Sequence, residues 1–292
     1  MELEELQNFV MIAETGNITK AAKNLHISQP ALSRHLQSLE NELGVKLADR
    51  GSRQLSLTDD GTYLLQRARE ILSMVTKTKN DLNDQKSISG DIYLGCGETQ
   101  AMHPIAKAIK LMRSRYPETH IHLYSGSGDE LRYKIKSGFL DFALLIDPTN
   151  TAGYNFISMD SKDTWGILMH PTNPLSTKKV ITAQDVEQMP AIFPRQNYNF
   201  SQIENWFGHP IPAEQIIGTY NLLFNAAVMV EEDVGMVYCI DRLIRVVDIP
   251  NLVFRPLSPA LSTEINFVWR KNRTLSNAAD AFLKIVQEVV KG

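Results

Sequence analysis

Apolar residues at Leu3, Leu6, Phe9, Val10 and Ala13 recur at helical spacing, and Gly16 then stops the pattern, which predicts a first helix ending there. A second, short helix is expected over Lys20 to Leu25, capped by Asn17 or Thr19 and rich in alanine, where two helices must pack closely. His26 and Ile27 form the turn that follows. Ser28 is a good N-cap for a third helix, whose first turn holds Pro30 at a place where the missing N–H removes nothing. In that helix Leu32, Leu36, Leu39 and Leu43 fall on one buried stripe, and Gly44 ends it. Gln29, Ser33, Arg34 and Gln37 occupy the opposite face.

Two short alternating segments, VKLADR and QLSLT, flank Gly51, Ser52 and Arg53 and predict a small hairpin, or wing, with a basic tip. Thr58 then caps a long helix with Asp59 and Asp60 in its first turn, where the helix dipole favours acids. Along it Leu64, Ala68, Ile71, Val75, Thr78 and Leu82 keep a heptad seam, which predicts a partner helix despite the polar Thr78.

Beyond a hinge at residues 87–90 the pattern changes to strands alternating with helices, the order of a parallel sheet. Strands are expected at Ile92 to Cys96, Ile121 to Tyr124 and Phe142 to Ile146, with helices over Ala101 to Tyr116 and Glu130 to Ser137 between them. A second set follows at WGILM, AIF and QIIG, then a helix from Leu222 to Glu231 and the strand MVYCI. The strand INFVW and a helix from Ser276 to Val290 close the chain. The fold class is thus α/β with an all-α N-terminal part.

Composition narrows the function classes. Of 292 residues, 43% are hydrophobic and 22% charged, so the chain is globular rather than disordered. No apolar stretch approaches the roughly 18 residues needed to span a bilayer, and acids stand where a secretory leader carries bases; no membrane partner and a cytoplasmic location are expected. The two cysteines, Cys96 and Cys239, are too few for a disulfide framework, suggest no metal site, and fall in strands of different halves, which argues against a redox pair. Net charge is -3, yet residues 17–53 hold six bases against three acids, while residues 1–16 hold four acids and no base. A basic patch between acidic flanks fits one face meeting phosphates.

Helix, tight turn and helix with a polar outer face suit the DNA major groove. Gln pairs with adenine edges and Arg with guanine edges, so Gln29, Arg34 and Gln37 are candidate base readers. Thr19, Ser28 and Ser33 are of the kind that hold phosphates, and Arg50 and Arg53 on the wing reach the backbone or the minor groove. No Walker, GxSxG, HExxH or GxGxxG motif stands at a strand-to-helix junction, so no catalytic residue, cofactor or metal is expected, and YSGSGDE is only superficially glycine-rich.

The run NITKAAKNLHISQPALSRHLQSLENELGVKLADR resembles the signature of LysR-type transcriptional regulators in its alanine pair, its Ser-Gln-Pro-Ala turn, its Ser-Arg pair and its Leu-Glu-x-x-Leu-Gly ending. The likeness continues through LTDDGTYLLQRAREIL and, more weakly, over the rest of the chain. The resemblance implies a DNA-contact role for Gln29, Pro30, Ser33 and Arg34, promoter DNA and RNA polymerase as partners, and a homodimer assembling into a homotetramer. It implies a winged helix-turn-helix over 1–58, a linker and dimerisation helix over 59–86, and a periplasmic-binding-protein-like effector domain over 91–292. The latter divides into a first subdomain of 91–162 with 268–292 and a second of 163–267.

An effector between two such subdomains is expected at strand carboxyl ends and helix N-termini. Thr99, Gln100 and Ser127 hold such places on one side, and Asn197, Tyr198 and Phe200 in the loop PRQNYNF with Asn221 on the other. This mixture suits a small organic acid or an aromatic, with Arg195 as an ion-pair partner, and equally suits an ordinary surface loop. Two other classes remain open at this point: a solute-binding protein or enzyme, against which residues 1–58 argue, and a DNA-binding regulator acting without an effector.

Overall fold

The computed structural model describes residues 1–50, 55–83, 88–146, 152–244, 249 and 251–291. They form two compact units, Met1–Asn83 and Asp84–Gly292. The first consists of α1 (Leu3–Thr15), α2 (Ile18–Asn24), α3 (Gln29–Leu43), the antiparallel hairpin of β1 (Ala48–Arg50) and β2 (Leu55–Leu57), and α4 (Asp59–Asn83). The leucine stripe is buried over its first three positions, Leu32, Leu36 and Leu39 packing with Phe9, Ile12 and Ala21, whereas Leu43, in the last turn of α3, is exposed. Asn17, not Thr19, caps α2, its Oδ1 accepting the Lys20 N–H at 2.9 Å. Ser28 Oγ accepts the Ala31 N–H at the start of α3, and Gly44 ends α3 at φ 71°, where a side chain would be strained.

Gly61, in the first turn of α4, faces the backbone of Leu47, and a Cβ there would lie 1.9 Å from the Leu47 oxygen. Thr58 closes the same corner by donating its hydroxyl to the Lys46 carbonyl at 2.6 Å and accepting the Gly61 N–H at 3.0 Å. The predicted heptad seam divides between two uses. Ala68 is fully buried and Leu64 packs on the helical core, so the first positions serve their own unit. Ile71 and Thr78 further on are exposed, while the Leu82 side chain lies outside the described residues.

The second unit carries β3 (Gly90–Cys96), α5 (Met102–Arg115), β4 (Thr119–Ser125), α6 (Gly128–Ser137), β5 (Phe142–Ile146), β6 (Tyr154–Met169), β7 (Ile181–Thr182) and α7 (Ala183–Val186). Then follow β8 (Ala191–Pro194), α8 (Asn197–Phe207), β9 (Ile216–Tyr220), α9 (Leu223–Glu231), β10 (Met236–Ile240), β11 (Val253–Ser258), β12 (Ser262–Arg270) and α10 (Asn277–Lys291). One sheet runs in the order β4-β3-β5-β12-β6-β10-β8-β9, with β11 paired to β6 and to β7. Its two flanks are parallel, β3 with β4 and β5, and β8 with β9 and β10. Antiparallel β6 and β12 join them: β6 pairs with β12 up to Thr164 and with β10 from Trp165.

Each flank buries its own core. Ile92, Leu94, Phe142, Phe267 and Phe282 lie in one, Trp165, Ile167, Phe193, Ile203 and Tyr238 in the other. Ile265 and Phe267 already pack in the first core, so the return crossing lies earlier than the division expected at 267/268. Three further differences have plain causes. PRQNYNF is not a loop, because Asn197 opens α8, whose Phe200, Ile203 and Phe207 recur at helical spacing. The stretch Tyr154–Asp163, which sequence reading left without a strand, extends β6 because β12 supplies its ladder. Val253–Ser258, also left unassigned, forms β11 against Gly166 to Met169 of β6 despite carrying Pro256.

Candidate functional site

Two surfaces carry the candidate residues, one in each unit. In the first, Ser28, Gln29, Pro30 and Arg34 are exposed at the start of α3, and Ser33 is half-buried beside them. Gln37 is half-buried and donates to Asn41 Oδ1 at 3.0 Å, which draws its amide along the helix. Thr19 is exposed within α2 rather than at its cap. Arg50 ends β1 with its side chain outside the described residues, and Arg53 lies wholly outside them.

The helix is held in place from behind. His35 on α3 meets Asn8 of α1, Nδ1 to Nδ2 at 2.7 Å. Glu40, buried near the end of α3, accepts the Leu47 N–H at 2.9 Å, the Ala48 N–H at 3.4 Å and the Lys46 ammonium at 2.9 Å. Burial alone would raise its pKa, but the Lys46 bond and the two amides outweigh it and hold the carboxyl below its ordinary value. Glu40 thereby fixes the wing to the recognition-type helix. No charge argument on the sequence singled it out, although it stands in the quoted Leu-Glu pair.

In the second unit a cleft opens where six parallel strands end, with Glu98, Gly126, Ile146, Pro194, Tyr220 and Ile240 at or just past their carboxyl ends. That is where open α/β sheets receive ligands. An inner chamber of about 30 Å³ lies among these residues, and an outer pocket of about 430 Å³ lies among Ser127, Asp129, Glu130, Arg195, Gln196 and Asn221. Gln196 and Asn221 border both.

Several expected ligand-binding groups are engaged by the chain itself. Thr99 is buried, donates its hydroxyl to Asp163 Oδ2 at 2.6 Å and accepts the Ala101 N–H at 3.1 Å. Gln100 donates its amide to the Arg242 carbonyl at 2.6 Å, and the Asn221 oxygen accepts the Leu222 N–H. Ser127 caps α6, with Glu130 accepting the Ser127 N–H in return at 2.9 Å. Phe200 turns into the second core, edge-on to Phe193 at 5.7 Å between ring centres, instead of into the cleft. Asn197 and Tyr198 begin α8 with side chains outside the described residues.

Two groups that the sequence pattern does not mark, Glu98 and Asn199, line the cleft, and a third, Asp163, is buried behind Thr99. Glu98 Oε2 accepts the Leu223 N–H at 2.5 Å, capping α9 from the opposite flank. Asp163 on β6 is fully buried and its Oδ1 has no partner; desolvation, opposed by the Thr99 bond and reinforced by Asp241, raises its pKa. Asn199, between the named Tyr198 and Phe200, borders the inner chamber. Both cysteines are buried, Cys96 with its thiol pushed up to about 12 and Cys239 higher still, in each case first by loss of water.

Among the described residues no helix is long and apolar enough to cross a membrane. Residues 3–62 match the profile of bacterial regulatory helix-turn-helix proteins of the lysR family, and residues 85–291 that of the LysR substrate binding domain. The uncharacterized HTH-type transcriptional regulator YvbU of Bacillus subtilis is 27% identical over 292 residues, covering 99% of each chain. The Hca operon transcriptional activator HcaR of Escherichia coli is 28% identical, covering 99% of this chain and 98% of its own. In fold, the chain is similar to CbnR, a LysR family transcriptional regulator, at a TM-score of 0.73, 19% identity and 100% coverage of both chains. Against CbnR complexed with its target DNA, also 19% identical, the score is 0.71, covering 99% of this chain and 100% of that one. With a helix-turn-helix at its head and a substrate-binding fold over the remainder, the chain belongs to the LysR family, as a DNA-binding transcriptional regulator with an effector-binding domain and not an enzyme.

Proposed function

We propose that α3 is the recognition helix, that Gln29 and Arg34 meet base edges in the major groove of promoter DNA while Ser33 holds phosphate, and that a small effector in the cleft modulates the outcome. The observation that carries this reading is the orientation of α3: Leu32, Leu36 and Leu39 are buried while Ser28, Gln29, Pro30 and Arg34 face outward together. Thr19, Ser28 and the wing arginines Arg50 and Arg53 hold phosphates, and Gln37 adds a weaker contact because Asn41 shares its amide. Residues 1–58 bind DNA, 59–86 link and dimerise, 87–90 form the hinge and 91–292 bind the effector. Ile71 and Thr78, exposed on α4, continue the seam of a homodimer, and two dimers make the tetramer. RNA polymerase is the further partner, and the cytoplasm the location.

Selection of bound sequences from random duplexes, followed by titration with variants, tests the DNA reading. Arg34→Ala should relax preference at one base position at a cost of about 1–3 kcal/mol, whereas Arg53→Ala should weaken all sequences alike and lower the salt slope. Equal loss at every sequence for Arg34→Ala refutes its base-reading role.

A further inference from the structure

We propose that the cleft, read as above as the effector site, recognises a small molecule through a primary ammonium group seated between the Glu98 carboxylate and the Asn199 amide oxygen. The inference starts from a buried acceptor without a donor. Asn199 is 6% exposed and borders the inner chamber. Its Nδ2 donates to Gln196 Oε1 at 3.2 Å, and its Oδ1 has no partner. A buried polar atom left unpaired calls for a donor from outside the chain.

The surroundings supply negative charge rather than positive. Glu98 stands on the chamber wall, and Asp129 and Glu130 border the outer pocket, facing the single base Arg195. Helix N-termini, the usual resource for binding an anion, are already taken. Glu98 sits on α9, Glu130 on α6, and Asp163 on the segment that opens α5. A carboxylate effector would meet three acids and find the helix ends occupied. An ammonium instead gains charge-assisted bonds to Glu98 and gives Asn199 its missing donor.

Donor count sharpens the class. A primary ammonium offers three N–H donors to Glu98 and Asn199, while a trimethylammonium offers none. The remainder of the ligand occupies the outer pocket of about 430 Å³, reached past Gln196 and Asn221. This reverses the sequence-based expectation of an organic acid, since the acids that decide the matter belong to residues far apart in the chain.

The test uses the full chain and four probes with one ring and different heads: benzylamine, benzyl alcohol, benzoate and benzyltrimethylammonium, at equal ionic strength. Benzylamine alone should raise the melting temperature, and titration calorimetry should show at least tenfold weaker binding to Glu98→Gln and to Asn199→Leu, with the free variants melting beside the parent. Benzoate binding that either substitution changes overturns the ammonium class while sustaining the cleft as the effector site. Stabilisation by none of the four, or benzylamine binding untouched by both substitutions, overturns the proposal and leaves water as the chamber's only occupant. The DNA selection with Arg34→Ala is independent of every probe, so failure here is distinguishable from failure of the regulator reading.

Discussion

The start of α3 and the helix starts beside the cleft treat the same electrostatic resource in opposite ways. In the N-terminal unit the start of α3 is exposed, and among the described residues no carboxylate is bonded there. In the sheet unit the starts of α6 and α9 are each met by an acid of the chain itself. A helix N-terminus carries roughly half a positive charge wherever it lies. Left open, it serves an external polyanion; closed by Glu98 from the facing flank, it ties two halves of a cleft together. Buried carboxylates differ too: Glu40 is satisfied by three donors and Asp141 by the Tyr93 N–H and Arg273, while Asp163 retains an unpartnered oxygen.

The largest effect that sharpens this contrast is steric. Gly61→Ala should destabilise the N-terminal unit by about 3 kcal/mol, because the added methyl meets backbone that cannot step aside. Hydrogen exchange localised to α1 and α3 is the measurement, and parent-like protection would show that the corner yields. Next, Glu40→Gln should cost about 2 kcal/mol by weakening its bonds to Lys46 and two amides. Because the folded pKa of Glu40 is lowered, its contribution is complete above the unfolded value and is lost as pH falls through the folded one. Protection of this unit's amides, taken against the intrinsic exchange rate at each pH, should therefore fall on acidification in the parent and respond less in the variant.

Asp163→Asn should have a smaller effect of the opposite sign, within about 1 kcal/mol of the parent or favourable to it, since it removes a charge that burial penalises. A raised folded pKa means that this cost is present above the folded value and fades as pH falls through it. Protection in β6, taken against the intrinsic rate at each pH, should accordingly rise on mild acidification in the parent, and an unchanged value would erase the contrast with Glu40. Smallest of all, an alkylating reagent at neutral pH should leave Cys96 and Cys239 almost unmodified in the folded chain, read by intact mass. Rapid loss of either thiol would reveal an opening that the buried cores do not show.

The N-terminal unit was legible because local rules dictate it. Ser28, Pro30 and Gly44 mark helix ends by their own chemistry, and the leucine steps orient α3 without reference to anything distant. The Leu-Thr-Asp-Asp-Gly run marked the start of α4, but not the need for glycine at 61, which comes from a backbone oxygen fourteen residues earlier. In the sheet unit the parallel strands announced themselves as apolar runs, but the crossing part of β6 did not. Its polar residues are held by β12, about a hundred residues away in sequence. Glu98 was invisible for the same reason, since its partner is Leu223. With α8, the asparagines of PRQNYNF outweighed the spacing of Phe200, Ile203 and Phe207, and attention fell on the neighbours of Asn199 rather than on Asn199 itself.

The place of β12 and α10 in the first core gives the molecule a timetable. Phe267, Phe282 and Val286 pack in one core with Ile92 and Phe142, so that flank stays incomplete until Val286 has left the ribosome. The N-terminal unit is whole by Asn83, some two hundred residues sooner. At about 5–20 residues per second this amounts to roughly 10–40 s for each chain. During that interval every nascent copy carries a finished head while the part that senses is still being written.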